Sequence, residues 1–295
     1  ARDVAQIAGN VDYETGNVSY NGNVEVKGTV VGGFSVKSTG DVVILESVEN
    51  GVEIEAGGDV TVKQGIVGEK TKVVAKGGVQ AKFVQDATIV AGGDVVVDSY
   101  IRTANVQTET AVNVTGGGAS GGIIGGETWA LNSIVSKNVG AEGTAQTLVC
   151  VGVLPTLFEE YKKNKEEADK ASQTKLALMK SLSIQKLDLE LVSKLVEKNP
   201  HKKDAILDYL KKATEAEQIE TACRDEMAVL ARKMEESAKT AHMDVTSTAF
   251  HKIRIRIGDS ETVLNENLDG HRFRLNRGGD EEGVGWVPLA EADKE

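Results

Sequence analysis

A short phrase, Gly-Asx-Val-x-Val, recurs at nearly constant spacing through the first third of the chain. Its copies begin at Gly22, Gly40, Gly58 and Gly93, and a degenerate copy begins at Gly78. Successive glycines are therefore eighteen, eighteen, twenty and fifteen positions apart. A nearly fixed period of this size is typical of solenoids, in which each repeat buries its apolar face only against its neighbours. The repeat predicts a domain of stacked coils.

Each repeat contains three short apolar runs that are separated by turns. The first run follows the Gly-Asx pair, as at Val60 and Val62. The second run is represented in successive repeats by Val30, Val48, Ile66, Val84 and Ile101, and the third by Val36, Ile54, Val74, Ile89 and Val106. Alternation over a few residues predicts strands with one buried side. Each repeat is therefore interpreted as three strands around one coil of a parallel β-helix.

The Gly-Asx pair predicts the corner between two strands. Glycine supplies the positive φ that a tight corner requires, and an Asn or Asp side chain can hydrogen-bond the backbone of a turn. Left-handed helices of hexapeptide repeats hold about 18 residues per coil rather strictly. The longer step to Gly78 and the shorter step to Gly93 fit the looser right-handed type better. We therefore predict a mainly β protein with a right-handed parallel β-helix over residues 1–155.

A different pattern begins after Pro155, because no glycine follows until Gly258. Thr156 and Glu159 form a capping-box pattern at the start of a helix, and the pair Asn199-Pro200 places an N-cap and a first helical residue before a second helix. In each helix, residues that recur at three- and four-residue steps form a seam along one side. They are Leu157, Tyr161, Asn164, Ala168, Ala171, Leu178 and Leu182 in the first helix and Ile206, Leu210, Ala213, Cys223, Met227, Leu230, Met234 and Ala241 in the second. Residues 156–245 are predicted to form an inserted antiparallel coiled-coil hairpin.

Strand patterning returns in the last segment, residues 246–295. Ile253, Ile255 and Ile257 alternate with arginines, and the available partner for such strands is the solenoid, so these strands are predicted to rejoin or cap the β-helix. The outward arginines are interpreted as the solvent side of edge strands rather than as a basic binding stripe; they are Arg254, Arg256, Arg272 and Arg274. The acidic residues near the end predict a solubilising tail; they are Asp280, Glu281, Glu282, Glu291, Asp293 and Glu295.

Several phrases together carry a family resemblance. They are Ala-Gly-Gly-Asp-Val at 56–60 and 91–95, Val-Asp-Tyr-Glu-Thr-Gly-Asn-Val at 11–18, and Ile-Ile-Gly-Gly-Glu at 123–127. With the order of solenoid, helical hairpin and returning strands, they resemble the flagellar assembly protein A (FapA) family of bacterial β-helix proteins. The resemblance implies a role in building or placing flagella through protein contacts, without a catalytic motif. The family usually carries a further amino-terminal region, which implies that this sequence is part of a longer protein.

The residues offer little support for an active site. Hexapeptide acyltransferases use a histidine base on the solenoid, but the histidines lie outside residues 1–155; they are His201, His242, His251 and His271. Asp41, Asp59 and Asp94 could stack into a calcium-binding ladder. The calcium-binding nonapeptide, however, has another glycine pattern and about half this period, so a turn role is favoured. We predict a non-enzymatic protein with no catalytic, cofactor or metal site.

Charge and cysteine content restrict the partners and the compartment. A net charge of −11 does not offer the basic surface that nucleic acid binding needs, so no nucleic acid partner is expected. No run approaches the ~20 apolar residues of a membrane span, so no membrane span is expected. Cys150 and Cys223 are far apart in sequence and are interpreted as buried free thiols, which favours a cytoplasmic location.

These observations favour a scaffold or regulatory adaptor that binds a protein partner, such as a regulatory protein, on the flat side of the β-helix. The predicted anchors are Phe34, Phe83, Tyr100 and Ile101, because aromatic residues in a valine-rich coil are the strongest candidates for binding hot spots. In the competing interpretation, Phe34 and Phe83 fill wide corners of the core. The alternative functions are a carbohydrate-binding or polysaccharide-active β-helix and, with less support, a self-associating, cytoskeleton-like β-helix that polymerises end to end.

Overall fold

The structure is a computed structural model that describes residues 4–116, 121–143, 146–186, 189–276 and 282–292, without the side chains of 189–192. The chain divides into two compact units. The first contains Ala1–Pro155 and Met234–Glu295, and the second contains Thr156–Lys233. The helical segment is therefore an insertion in the sequence of the first unit.

The first unit is a parallel β-solenoid of about seven turns, which confirms the predicted β-helix. Its strands are β1 (Val4–Ile7), β2 (Val18–Tyr20), β3 (Asn23–Val26), β4 (Ser35–Ser38), β5 (Val42–Ile44), β6 (Glu53–Ala56), β7 (Val60–Val67), β8 (Lys72–Ala75), β9 (Val79–Gln85), β10 (Thr88–Ala91), β11 (Val95–Val97), β12 (Tyr100–Thr108), β13 (Ala111–Val114), β14 (Gly122–Ala130), β15 (Ser133–Ser136) and β16 (Thr147–Val151). The right-handed sense of the coil stays a prediction.

The strands form three faces around the core. The first face, which follows the Gly-Asx phrases, is a parallel ladder of β1, β3, β5, β7, β9, β11, β13 and β15. The second face is a parallel ladder of β2, β4, β6, β8, β10, β12, β14 and β16. The third face is narrow and starts as single bridges such as Val11 to Val30 and Val30 to Val48. Three strands per coil, as predicted, therefore describe the unit.

Stacked β-branched side chains form the core. On the first face Val42, Val60 and Val79 lie in register in successive coils, and each is at most 2% exposed. The five residues predicted to represent the second run of each repeat are all buried. One predicted inward residue is wrong: Val73, not Val74, points into the core. The corner before β8 contains additional residues, and a shift by one residue moves a side chain to the other side of a strand.

Asx side chains connect each coil to the next. The Asn23 Oδ1 atom accepts a hydrogen bond from the Asp41 amide at 2.9 Å, and Asp41 Oδ1 accepts one from the Asp59 amide at 3.0 Å. The series continues from Asp59 Oδ1 to the Gly78 amide at 2.8 Å. The predicted hydrogen bond within the turn is thus replaced by a bond to the equivalent turn of the following coil.

The repeated glycines have a different role from the predicted one. Gly22 has a φ of 148°, but Gly40, Gly58 and Gly93 do not lie in the positive-φ region, so the prediction of positive φ is wrong for these three. A Cβ atom added to Gly58 would instead lie less than 3.0 Å from Asp41 Oδ1. Glycine is needed there because the Asx side chain of the preceding coil occupies the space of a side chain.

The C-terminal segment rejoins the solenoid, as predicted. Strand β17 (His242–Ala249) pairs in parallel with β15, and β18 (Arg254–Ile257) pairs in parallel with β16. Antiparallel strands then cover these two: β19 (Ser260–Val263) pairs with β18, and β20 (Leu268–Asn276) pairs with β17 and with β21 (Gly283–Pro288), which is followed by α4 (Leu289–Ala292). Because β17 begins at His242, the end of the solenoid starts earlier than the predicted boundary at residue 245.

Three arginines of this segment are held by carboxylates. Arg254 and Arg256 both form ion pairs with Glu261, and Arg272 binds both oxygens of Asp244, at 2.7 and 2.9 Å. This agrees with the interpretation that they do not form a free basic stripe. Of the predicted acidic tail, Glu282 and Glu291 are exposed, and residues 280, 281, 293 and 295 lie outside the described residues.

Within the described residues, the helical segment contains three helices, α1 (Pro155–Ser181), α2 (Leu189–Lys198) and α3 (Lys203–Ala238), and a 3₁₀ turn at Pro200–Lys202. The prediction of two long helices is therefore wrong, because α1 ends at Ser181 and Ser183 has a φ of 56°. Helix α1 begins before Thr156, so Thr156 is not its N-cap. The Asn199 side chain does not cap the next turn; its Nδ2 atom donates to the Leu195 carbonyl at 3.1 Å.

Helices α1 and α3 run antiparallel along a seam of small and apolar residues. The buried residues of this seam within the second unit are Ala168, Ala171, Met179, Leu182, Ile206, Ala213, Ala216, Cys223 and Leu230. An ion pair lies within it, with Lys175 Nζ 2.7 Å from Glu220 Oε2. Seven of these nine buried residues were predicted for the seam, whereas a coiled coil in the strict sense stays a prediction.

The Lys175–Glu220 pair predicts a pH dependence of the helical segment. The hydrogen bond from Lys175 holds the pKa of Glu220 below its ordinary value of 4.5. A carboxyl whose pKa is lower in the folded state contributes stability above its ordinary pKa, and this contribution is lost as the pH falls towards the folded value. We expect thermal melts followed at 222 nm to shift down on acidification below about pH 5. The shift should be smaller in Glu220→Gln than in the exposed control Glu226→Gln, and equal shifts would contradict the assignment.

Candidate partner-binding surface

The four predicted anchors do not share one environment. Ile101 is 0% exposed and points into the core from the third face, so its prediction as an exposed anchor is wrong. The physical reason is the alternation of a strand, in which successive side chains point to opposite sides. Because Ile101 points inward, its neighbours Tyr100 and Arg102 point outward, and both are half-buried.

Phe83 and Tyr100 form one pair on the third face. They precede the inward residues Val84 and Ile101, which are paired in adjacent coils, and their ring centroids are 5.3 Å apart with an interplanar angle of 24°. Glycines occupy the equivalent positions on either side: Gly65 lies opposite Phe83, and Gly122 lies opposite Tyr100. A Cβ atom on Gly65 would lie less than 3.0 Å from the Phe83 ring, so glycine provides the space for this ring.

Arg102 extends the pair into a three-residue stack. Its guanidinium carbon lies 4.7 Å from the centroid of the Tyr100 ring, which is within the range of a cation–π contact. We call Phe83, Tyr100 and Arg102 the third-face stack. Arg102 was not predicted as a site residue. The alternation of side chains along a strand could have identified it, since a residue two positions from Tyr100 lies on the same side of the strand.

The corner after the stack has an unusual backbone. Asp86 and Thr103 have φ values of 56° and 49°, and glycines with positive φ stand at the equivalent corners before and after them, Gly68 and Gly125. A β-branched residue such as Thr103 in this region is an outlier that costs on the order of 1 kcal/mol or more. Backbone strain of this kind is concentrated at functional sites, and here it adjoins Arg102.

Phe34 belongs to a separate aromatic pair. Its ring is 5.2 Å from that of Tyr13 in an edge-to-face arrangement, and Tyr13 is 94% exposed. The loop that presents Tyr13 is ordered by hydrogen bonds, including one from the Glu14 amide to Asp12 Oδ1 at 3.0 Å. The structure therefore joins Phe83 to Tyr100 and places Phe34 with a residue that was not among the predicted anchors.

Two of the aspartates considered for calcium binding have structural roles. Asp41 and Asp59 direct an oxygen at a backbone amide of the next coil. Within the described residues, no group of three or more His, Cys, Asp and Glu is placed to hold a metal ion. Cys150 and Cys223 are buried free cysteines, as predicted, and burial raises the pKa of each thiol.

The one described tryptophan of the solenoid coils bears on the carbohydrate alternative. Trp129 is 6% exposed, and its indole Nε1 atom donates a hydrogen bond to Glu127 Oε2 at 3.2 Å. It lines a shallow depression of about 240 Å³ together with Val90, Gln107 and Pro155. Because the ring is almost fully covered, it does not present an open aromatic platform for a sugar.

The fold defines a class of protein, the parallel β-solenoids. Comparison with known families agrees. The chain belongs to the family of the flagellar assembly protein A beta solenoid domain, which it matches over residues 3–280. No curated protein and no solved structure matches it significantly. None of the helices within the described residues is long and apolar enough to cross a membrane.

Proposed function

We propose that this protein is a non-enzymatic scaffold or regulatory adaptor of bacterial flagellar assembly that binds a protein partner through the third-face stack. Membership of the flagellar assembly family supports the process. The observation that carries the binding role is the stacking of Phe83 on Tyr100 across two adjacent coils, with the Arg102 guanidinium over the Tyr100 ring. The two free cysteines favour a cytoplasmic setting, in which thiols stay reduced.

The physical argument rests on rigidity and residue type. Each member of the stack lies on a hydrogen-bonded strand and contacts a neighbouring ring or guanidinium, so little side-chain entropy is lost when a partner binds. Tyr and Arg are among the residues that contribute most to binding hot spots. The stack thus combines suitable chemistry with a pre-organised surface.

The structure gives less support to end-to-end polymerisation. Where the coils end, β19 and β20 pair in antiparallel fashion with β18 and β17. The outer backbone groups of β17 and β18 are therefore already hydrogen-bonded. A second solenoid that stacked on β17 and β18 would have to displace β19 and β20. Binding to the side of the solenoid requires no such rearrangement.

The test is complementation of a deletion strain in the bacterium that carries this gene. Variants Phe83→Ala and Tyr100→Ala are expected to restore far fewer flagellated cells than the wild type, counted by electron microscopy. Removing a hot-spot side chain weakens binding by about 2 kcal/mol, or roughly 30-fold. The matched control is Tyr13→Ala, which removes an exposed aromatic residue from the other pair.

Folding of each variant is checked by circular dichroism of the purified chain. Full restoration of flagella by correctly folded Phe83→Ala and Tyr100→Ala would contradict the proposed surface. A defect confined to Tyr13→Ala and Phe34→Ala would instead place the interface at the other aromatic pair.

A further inference from the structure

The polar groups of the third-face stack are not used within the described chain. Tyr100 and Arg102 contact each other through the cation–π contact at 4.7 Å. Among the described residues, neither the Tyr100 hydroxyl nor the Arg102 guanidinium has a hydrogen-bond or ion-pair partner. A phenol can donate one hydrogen bond and also accept, whereas a guanidinium offers five N–H donors and no acceptor. Within the described residues, the O–H and N–H donors of the stack therefore have no acceptor.

Arg102 differs in this respect from other arginines on the strands. Arg254 and Arg256 share Glu261, and Arg272 binds both oxygens of Asp244. In each case the guanidinium is matched to a carboxylate, and the pair of Arg272 with Asp244 has the bidentate geometry that Arg favours. At Arg102 the described residues supply an aromatic ring that contacts the guanidinium, but no carboxylate.

We propose that Tyr100 and Arg102 bind a side-chain carboxylate of the protein partner, and that Phe83 contacts an apolar side chain next to it. This inference rests on the proposed function and specifies the partner segment as acidic with an adjacent apolar or aromatic residue. The guanidinium is already held over the ring, so its ordering cost is reduced before the partner arrives. The donors are half-buried, which strengthens a charged hydrogen bond relative to open solvent.

The charge of the surroundings favours a protein carboxylate over a polyanion. The chain has a net charge of −11, which repels nucleic acid and anionic membranes at long range. Exposed Asp98 and half-buried Asp86 lie in the turns near the stack. A single guanidinium next to these acidic residues can still bind one carboxylate through short-range hydrogen bonds. A nucleic acid would instead require several contacts to phosphates.

The test uses pairs of short synthetic peptides. One member of each pair carries Glu or Asp next to Phe or Leu, and the other carries the corresponding amide, Gln or Asn. Binding to the purified full chain is measured by fluorescence anisotropy. We expect acidic members to bind at least about tenfold more tightly than their amide counterparts, as for a hydrogen bond to a charged group.

Variants assign this preference to the site. Arg102→Lys keeps the charge but loses the bidentate geometry and is expected to retain only part of the preference, whereas Arg102→Gln should abolish it. The control Arg232→Gln removes the same charge from a position on α3 and should leave the preference unchanged. Equal binding of acidic and amide peptides, selection of basic peptides, or an unchanged preference in folded Arg102→Gln would each overturn the proposal.

Two further outcomes separate this inference from its alternatives. If sedimentation of the wild type shows a dimer that Arg102→Gln abolishes, the occupant is a second copy and the proposal is overturned. If Phe83→Ala and Tyr100→Ala prevent flagellation while Arg102→Gln restores it, the proposed function is supported and the carboxylate site is rejected.

Discussion

Replacement of Val60 by aspartate is expected to lower the free energy of unfolding of the solenoid by about 4 kcal/mol or more. Val60 is 0% exposed and lies in register between Val42 and Val79 of the adjacent coils. A carboxylate at this position would lose its hydration among valine side chains and would find no hydrogen-bond donor directed at it. A buried unpaired charge is among the most destabilising substitutions.

Urea denaturation followed by circular dichroism measures this effect. The control is Lys63→Asp, an exposed position of the same strand, which should change stability by less than about 1 kcal/mol. A Val60→Asp variant as stable as the Lys63→Asp variant would show that residue 60 does not face the core, and the order of inward residues on the first face would have to be revised.

Replacement of Gly58 by alanine is expected to cost about 1 to 3 kcal/mol, because it introduces a methyl group where no space exists. The added Cβ would lie less than 3.0 Å from Asp41 Oδ1 and close to the backbone of Gly40. To relieve this contact the Asp41 side chain must move, and its hydrogen bond to the Asp59 amide would be lost. Two adjacent coils would therefore be loosened by one methyl group.

Gly9→Ala is the matched control for this substitution. No atom lies within 4 Å of a Cβ added at Gly9, and its φ is not positive, so alanine should be tolerated or slightly stabilising. Midpoints of urea unfolding compare the two variants. Equal stability of Gly58→Ala and Gly9→Ala would contradict the role assigned to the repeated glycines.

The order of elements could be predicted because it depends on local patterns. Alternating valines such as Val60 and Val62 identify a strand, and the absence of glycine between Pro155 and Gly258 identifies a helical insertion. Each of these signals is contained in a few neighbouring residues. The C-terminal strands could also be placed, because an alternating run such as Ile253 to Ile257 needs a sheet to join.

The role of the repeated glycines could not be predicted from local patterns. The atom that excludes a side chain at Gly58 belongs to Asp41, which lies in the preceding coil and is therefore distant in sequence. Backbone propensities describe which φ and ψ angles a glycine can adopt at its own position. They contain no information about a side chain of another coil that lies against it. The break after Ser181 was missed for a related reason, because the helical pattern continues through Leu182 without Gly or Pro.

The candidate surface was predicted in part. Aromatic residues in a valine-rich coil identified Phe83 and Tyr100, which the structure brings together. Selecting Ile101 conflicted with the alternation that had already assigned it to the core, and following that alternation leads instead to Arg102. The separation of Phe34 from this pair depends on the stacking order of the coils, which composition does not reveal.

The bonds from Asx side chains to the next coil have a consequence for the size of the molecule. Asn23, Asp41 and Asp59 present the same acceptor, and the coil that follows each presents the same kind of amide. Any coil of this type can therefore be followed by another, so the repeat itself does not determine the number of coils. Growth stops where β19 and β20 reverse direction and occupy the edges of β18 and β17. At this end of the solenoid, the stacking of coils is therefore stopped by the strands that cover the last coil.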